Sequence, residues 1–295
     1  MTGLKLQAWG GIGNLLKPAN IVSAALHSGV RQLAELPQGR RDAQLLLLRV
    51  LERDAAWLLT HPEAPLSEAQ LRLYDEWIAR RARQEPVQYI LGEQEFYGLR
   101  LQVNGDVLIP RPETEHVVEA VLDRVAQDAP VRLCDVGTGS GAIAIALAHA
   151  LPLAAVTAVD LSPAALAVAR ENAARHGVAE RVRFVASDLL AAVTGERFDG
   201  VVSNPPYVSD DEVLETQVRE YEPHSALFAG PTGLEVYRRL IPEARTVLLE
   251  GAWLVMEIGL GQRDAVAEWL ADWDGVAFRA DLQGIPRVAI ARRRA

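Results

Sequence analysis

Apolar residues follow two different rhythms along the chain, and the rhythm changes near Pro86. Before it they recur at helical spacing. The stretch "RRDAQLLLLRVLERDAAWLL" (residues 40–59) gathers its leucines and Trp57 toward one helix face, and "HPEAP" then breaks the pattern. Ser67 with Gln70 has the form of a capping box opening the helix "EAQLRLYDEWIARRARQ", which Pro86 closes. Residues 1–85 therefore predict a small helical bundle. Its last helix ends in Arg80, Arg81 and Arg83, cations that either offset the helix dipole or face a partner.

Residues 86–114 predict a linker with a β-hairpin. Asn104-Gly105 sits between alternating apolar positions, the strongest short hairpin signal, Pro110 and Pro112 end the second strand, and a helix begins at or beside Thr114. From residue 131 onward, β-rich runs ("VRLCDVG", "AVTAVDL", "RVRFVASDL", "FDGVVSN", "AWLVMEIG") alternate with helical ones. The helix after "AVTAVDL" carries Ser162 as N-cap, Pro163 in its first turn and Gly177 at its end. Pro242 is expected to interrupt the helix "GLEVYRRLIPEARTVLLEG". Such alternation implies an α/β domain with a mostly parallel sheet covered on both faces. The closing "GVAFRADLQGIPRVAIARRR" holds two strands with a short connection, hence an antiparallel pair at the end.

Composition narrows the classes. A length of 295 residues favours two domains, and 49% hydrophobic residues allow a sizeable core. The formal charge of -9, with Lys5 and Lys17 the only lysines, argues against a broad nucleic-acid footprint. The single Cys134 cannot form an internal disulfide, and the six histidines (27, 61, 116, 149, 176, 224) are too scattered to predict a metal site. No apolar run approaches the roughly 18 residues of a membrane span, and "IVSAAL" is too short for a signal peptide. The expectation is a soluble cytoplasmic chain, metal-free and monomeric.

Candidate chemistry clusters where such sheets bind ligands, at the carboxyl ends of the strands. "DVGTGSGA" places Gly137, Thr138, Gly139, Ser140 and Gly141 between a strand and a helix, a turn that lets a ligand approach the backbone. Asp160 ends the next strand, where a carboxylate can accept from ribose hydroxyls, although it could also help to start the helix after Ser162. Asp188 ends the third, placed to accept from an adenine amino group or to shape a turn. Together these suit an adenosine-containing ligand without distinguishing a dinucleotide from S-adenosylmethionine.

The stretch "VVSNPPYVSD" favours the latter. Asn204, Pro205, Pro206 and Tyr207 end a strand with an amide oxygen from Asn204 and a carbonyl from Pro205, on a turn stiffened by proline. Two acceptors suit a planar NH2 group. An amide nitrogen is a poor nucleophile because its lone pair is delocalised, and fixed acceptors on both N–H bonds favour pyramidalisation and aim the lone pair at a methyl donor.

"DVGTGSGAIAIALA", "AVDLSPAALAVARENA" and "VSNPPYV" resemble amino-methyltransferases in general, while "PVQYILGEQEFYG", "VLIPRPETE" and "YEPHSALFAGPTGLEVYRRLI" resemble the HemK/PrmC release-factor glutamine methyltransferases. The resemblance implies a class I, Rossmann-like S-adenosylmethionine-dependent methyltransferase domain with a mostly parallel seven-stranded sheet over residues 115–295, behind the helical domain and hairpin linker. It also implies N5-methylation of the glutamine in the Gly-Gly-Gln loop of class 1 peptide-chain release factors, with S-adenosylhomocysteine as product and the helical domain docking the substrate. The family's cofactor loop falls on Gly137–Gly141, its ribose acid on Asp160 and its substrate motif on Asn204–Tyr207. Asn204 is also expected to touch the cofactor. Leu189 stands where relatives often carry an aromatic residue. Phe96, Tyr97, Arg111 and Glu113 are further candidates for the pocket wall, or for hairpin packing and a salt bridge. Alternatives are a nucleic-acid adenine N6-methyltransferase, an NAD-dependent oxidoreductase that would leave Asn-Pro-Pro-Tyr unexplained, and a non-catalytic nucleoside-binding assembly protein.

Overall fold

A computed structural model describes residues 20–295, so the start of the helical segment, with Lys5 and Lys17, lies outside the described residues. The chain divides into two units, one ending at Leu91 and the other beginning at Gly92.

The first unit is helical: α1 (Val22–Gln32), α2 (Gly39–Leu51), α3 (Ala55–Thr60), α4 (Glu68–Ala82) and α5 (Val87–Leu91). The run expected as one helix over residues 40–59 is two. Glu52 turns left-handed (φ 52°) and its neighbour's amide closes back on Leu48, after which Asp54 caps α3 by accepting from the Trp57 amide at 2.8 Å. The capping box of α4 forms in both directions: Ser67 Oγ accepts from the Gln70 amide and Gln70 Oε1 from the Ser67 amide. Leu33, Leu46, Leu47, Tyr74 and Ile78 are fully buried, and the Tyr74 hydroxyl donates to the Ala43 carbonyl. Arg81 is buried against Asp42 at 2.7 Å and Arg80 pairs with Glu85 at 2.6 Å. Arg81 thus ties α4 to α2, while Arg80 secures the turn that follows its own helix.

The second unit opens with a hairpin, β1 (Glu93–Phe96) and β2 (Leu99–Gln102), whose turn is Tyr97-Gly98, both left-handed (φ 52° and 75°). The hairpin is therefore present, but its turn is not Asn104-Gly105. That pair makes a separate turn after β2, closed by the Val107 amide on the Asn104 carbonyl, and no strand runs up to Pro110. Tyrosine rarely adopts positive φ. Here two carboxylates satisfy the turn's amides, Glu115 accepting from Tyr97 and Glu95 from Gly98.

A 3-10 turn (Pro112–Thr114) leads into α6 (Glu115–Leu122), followed by β3 (Arg132–Val136), α7 (Ala142–Ala150), β4 (Ala155–Asp160), α8 (Pro163–Arg175), β5 (Val182–Ala186) and β6 (Phe198–Ser203). Next come β7 (Val208–Ser209), α9 (Thr216–Tyr221), α10 (His224–Leu227), β8 (Phe228–Gly230), α11 (Glu235–Val247), β9 (Leu248–Glu257), α12 (Arg263–Trp269), β10 (Asp274–Ala280) and β11 (Pro286–Arg292). Pro242 does not interrupt α11: Tyr237, Leu240, Ile241 and Ala244 are buried along one face, and that packing carries the helix past the one missing amide.

Seven strands form one sheet in the order β10-β11-β9-β6-β3-β4-β5, with β11 antiparallel to both neighbours and the other pairs parallel. Successive strand residues face opposite sides, as the pleat requires. Leu133, Val202 and Val255 join a core with α6, α7 and the hairpin residues Phe96 and Leu101, while Cys134, Val201 and Leu254 join a second core with α11 and α12. The chain runs outward through β3, β4 and β5, then returns to the other side of β3 with β6. That reversal makes the β3/β6 crevice the switch point of the sheet.

Candidate active site

A cavity of about 410 Å³ opens at this switch point, within the size range of small-molecule sites. Gly137 and Gly139 from the loop after β3, Asp160 at the end of β4, Asp188 and Leu189 after β5, and Asn204 and Pro206 after β6 all stand in its wall. The structure thus brings together residues far apart in sequence.

The glycine turn is built by backbone bonds. The amides of Gly137 and Thr138 donate to the Val159 carbonyl, tying the loop to the end of β4. Gly139 has φ 54°, and a Cβ there would meet no atom within 4 Å, so its backbone faces open space. Gly141 plays another part: its missing Cβ lets α7 approach Ala169 of α8, where a methyl would lie 3.2 Å from the Ala169 Cβ. Thr138 and Ser140 are buried behind the loop. The Thr138 hydroxyl donates to Asp135, and the Ser140 carbonyl accepts from Asn172. Asp135 itself is fully buried, and burial pushes its pKa up to about 7 against the pull of Thr138 and the Ala144 amide.

Asp160 accepts from the Gly139 amide at 2.8 Å and from the Ser162 amide at 2.9 Å. It therefore shapes both the glycine loop and the entry to α8, and a carboxylate with two such bonds still has lone pairs for hydroxyl donors in the cavity. Burial raises its pKa, opposed by the amides of Ser162, Gly139 and Leu161. Asp188 is engaged by Arg239 of α11 at 2.8 Å through one oxygen, which leaves the other as an acceptor. Leu189 has φ 46°, a conformation costly for a branched residue, and it turns the chain at the cavity wall. Phe228 brings an aromatic residue to the same wall.

Asn204 is half-buried, and its Nδ2 donates to Thr114 Oγ1 at 3.0 Å. With the NH2 side so engaged, the Oδ1 side is the acceptor offered to a ligand. Pro205 is buried, and Tyr207 donates its hydroxyl to Glu257 at 3.0 Å. Burial first, then the Glu257 charge, raises the Tyr207 pKa, so the phenol stays protonated. Of the linker candidates, Phe96 is 1% exposed and belongs to the core, and Tyr97 packs against that core. Arg111 forms a 2.5 Å ion pair with buried Glu222, which also accepts from the Ile109 amide. Glu113 is not part of the wall, and its charge adds to the burial that raises the pKa of Glu257. Wall or support features beyond the sequence candidates include residues 106–108, Phe228, Arg239 and the Thr114–Glu257 pair. Val107, Leu108 and Thr114 fall inside "VLIPRPETE", and Phe228 and Arg239 inside "YEPHSALFAGPTGLEVYRRLI", but no spacing within those stretches points to the cavity.

Among the described residues, no group of three or more His, Cys, Asp or Glu side chains is placed to hold a metal ion, and no helix is long and apolar enough to cross a membrane.

The sheet order, the glycine turn and an acid ending the second strand of the parallel run define the class I methyltransferase architecture. Solved structures share it. The hMettl16 catalytic domain, determined with the MAT2A 3'UTR hairpin 1, matches with a TM-score of 0.53 at 15% identity, covering 78% of this chain and 83% of that one. The Thermus thermophilus 16S rRNA N2 G1207 methyltransferase RsmC, determined with AdoMet and guanosine, matches with a TM-score of 0.50 at 19% identity over 68% of this chain and 50% of that one. At such identities the likeness is one of fold.

Sequence relatives are far nearer. Residues 24–92 match the PrmC N-terminal domain and residues 115–221 the methyltransferase small domain. The release factor glutamine methyltransferase of Koribacter versatilis is 46% identical over 91% of this chain and 97% of its own length. That of Nitratidesulfovibrio vulgaris is 39% identical over 94% and 98%. The chain belongs to the release factor glutamine methyltransferase (PrmC/HemK) family.

Proposed function

We propose that this chain transfers a methyl group from S-adenosylmethionine to the side-chain amide nitrogen, N5, of the glutamine in the Gly-Gly-Gln loop of class 1 peptide-chain release factors. The observation that carries it is the Asn204 amide at the switch-point cavity, with its NH2 held by Thr114 and its oxygen left to accept. A substrate amide presents two N–H donors, and Asn204 Oδ1 with the Pro205 carbonyl can receive both.

The donor set in the wall suits S-adenosylmethionine. Asp160 retains lone pairs for ribose hydroxyls, Asp188 retains one oxygen for an amino group, and the bare backbone of Gly139 admits close approach. Leu189 and Phe228 offer apolar surface to an adenine, with any contact at Leu189 aliphatic. When bound, the cofactor supplies a sulfonium methyl as electrophile. The residues of this chain do the rest: they hold the amide nitrogen in line and stabilise charge developing on its N–H bonds. A strong base is unnecessary before attack, because the nitrogen can release its proton to water as the new bond forms.

In this reading the helical unit docks the release factor. Labelled S-adenosylmethionine offered with either a release factor or DNA tests the assignment. Label should pass to the protein alone and fall on the order of 10²-fold in Asn204→Ala; label in DNA would favour the adenine N6 alternative.

A further inference from the structure

Behind the site, the Thr114 hydroxyl that holds Asn204 is itself held by a second buried polar residue, Glu257. Glu257, at the end of β9, is 1% exposed, and Thr114, in the turn before α6, is 3% exposed. A carboxylate is expensive to bury, and its burial here raises the Glu257 pKa despite the hydroxyls of Thr114 and Tyr207. The direct hydrogen bonds to its carboxylate come from those two hydroxyls, at 2.6 and 3.0 Å. Its backbone carbonyl accepts from the Tyr237 hydroxyl, which fixes the strand end as well. In register, Ser203 of β6 faces Met256 of β9, so Asn204 and Glu257 follow side by side.

Hydrogen-bond polarity runs one way through this set. The Thr114 hydroxyl donates its single hydrogen to Glu257 Oε2 at 2.6 Å. The Thr114 oxygen must then accept from Asn204, and it does so from Nδ2 at 3.0 Å. An amide held by its NH2 has its oxygen on the other side. Without the hydroxyl, the two amide orientations lose their difference in energy, and one of them offers N–H groups to a substrate that itself brings N–H donors.

We propose that Thr114 and Glu257 are positioning residues for methyl transfer: they fix the flip state of the Asn204 amide, and Glu257 at the same time anchors Tyr207. The inference rests on the proposed role of Asn204 as acceptor for the substrate amide. It assigns to Thr114, which is 90 residues from Asn204, an effect on turnover rather than on cofactor binding.

The test compares Thr114→Val, Thr114→Ser and wild type with release factor and S-adenosylmethionine. Valine keeps the shape and removes the hydroxyl, so kcat should fall on the order of 10- to 100-fold, as for residues that orient a functional group from behind. The KM for S-adenosylmethionine should stay unchanged, and serine, which restores the hydroxyl, should recover most of the loss. If Thr114→Val fails to bind cofactor, Thr114→Ala removes the hydroxyl without crowding and takes its place. Equal turnover in wild type and the hydroxyl-free variant would overturn the relay, as would a serine variant as slow as valine. Wild-type protein that leaves release factor unmethylated would instead place the fault with the proposed function.

Discussion

Gly139 and Gly141 stand two residues apart in one loop, and alanine at each should produce opposite phenotypes. At Gly139 (φ 54°) a methyl would meet no atom within 4 Å, so the cost to folding is the left-handed backbone alone, about 1–2 kcal/mol. That methyl would occupy the open space at the cavity wall. An overlap of only ~1.4 kcal/mol with a bound ligand weakens it tenfold, so S-adenosylmethionine affinity should drop by about tenfold or more. At Gly141 (φ 84°) the methyl would lie 2.8 Å from Ile145 Cδ1 and 3.2 Å from the Ala169 Cβ. Ile145 can rotate away, but the Ala169 Cβ moves only with α8. Overpacking of this kind adds ~1–3 kcal/mol to the backbone cost. Urea denaturation and calorimetry with S-adenosylmethionine separate the two. Gly139→Ala should lose cofactor with modest loss of stability, and Gly141→Ala should lose stability first. Wild-type cofactor affinity in Gly139→Ala would refute the claim that the ligand lies against this backbone.

Asp160→Ala should weaken cofactor binding by calorimetry more than it slows the saturated reaction, because ribose contacts change little on the way to the transition state; unchanged affinity would leave Asp160 with its loop and helix bonds alone. Asp135, with its pKa pushed up to about 7, binds its proton more tightly folded than unfolded. Its contribution is fully present below the ordinary carboxylate range and is lost as pH rises toward 7. Asp135→Asn should therefore flatten the decline of urea stability between pH 4 and 7, by an amount on the order of a few kcal/mol, whereas parallel pH profiles would show that Asp135 does not titrate there. A shortened chain beginning near Gln84 should still bind S-adenosylmethionine yet methylate intact release factor poorly, since docking raises the effective concentration of the glutamine; full activity would dismiss the helical unit as the docking element.

Local signals in the sequence carried much of this architecture, and their failures have physical causes. The capping box at Ser67 and Gln70 depends on four consecutive residues, and the β-α alternation reflects burial on both faces of a parallel sheet; both could be read directly. The placement of Asp160 and Asn204 was legible too, since one ends β4 and the other follows β6 at the face where such sheets bind ligands. The hairpin turn was misplaced because Tyr97 takes a conformation that its side chain disfavours, rescued by Glu115 from 18 positions away. Pro242 stays inside α11 because tertiary burial outweighs a missing amide bond. The Asp188–Arg239 pair spans 51 positions and the Thr114–Glu257 bond spans 143, and neither leaves a periodic trace.

Mass spectrometry of a release factor incubated with this protein and S-adenosylmethionine tests the central claim most directly. Fragment ions should place a single added methyl on the glutamine of the Gly-Gly-Gln loop, in wild type and at strongly reduced yield in Asn204→Ala. A release factor recovered unmodified at that glutamine, from protein shown in the same experiment to bind the cofactor, would contradict it.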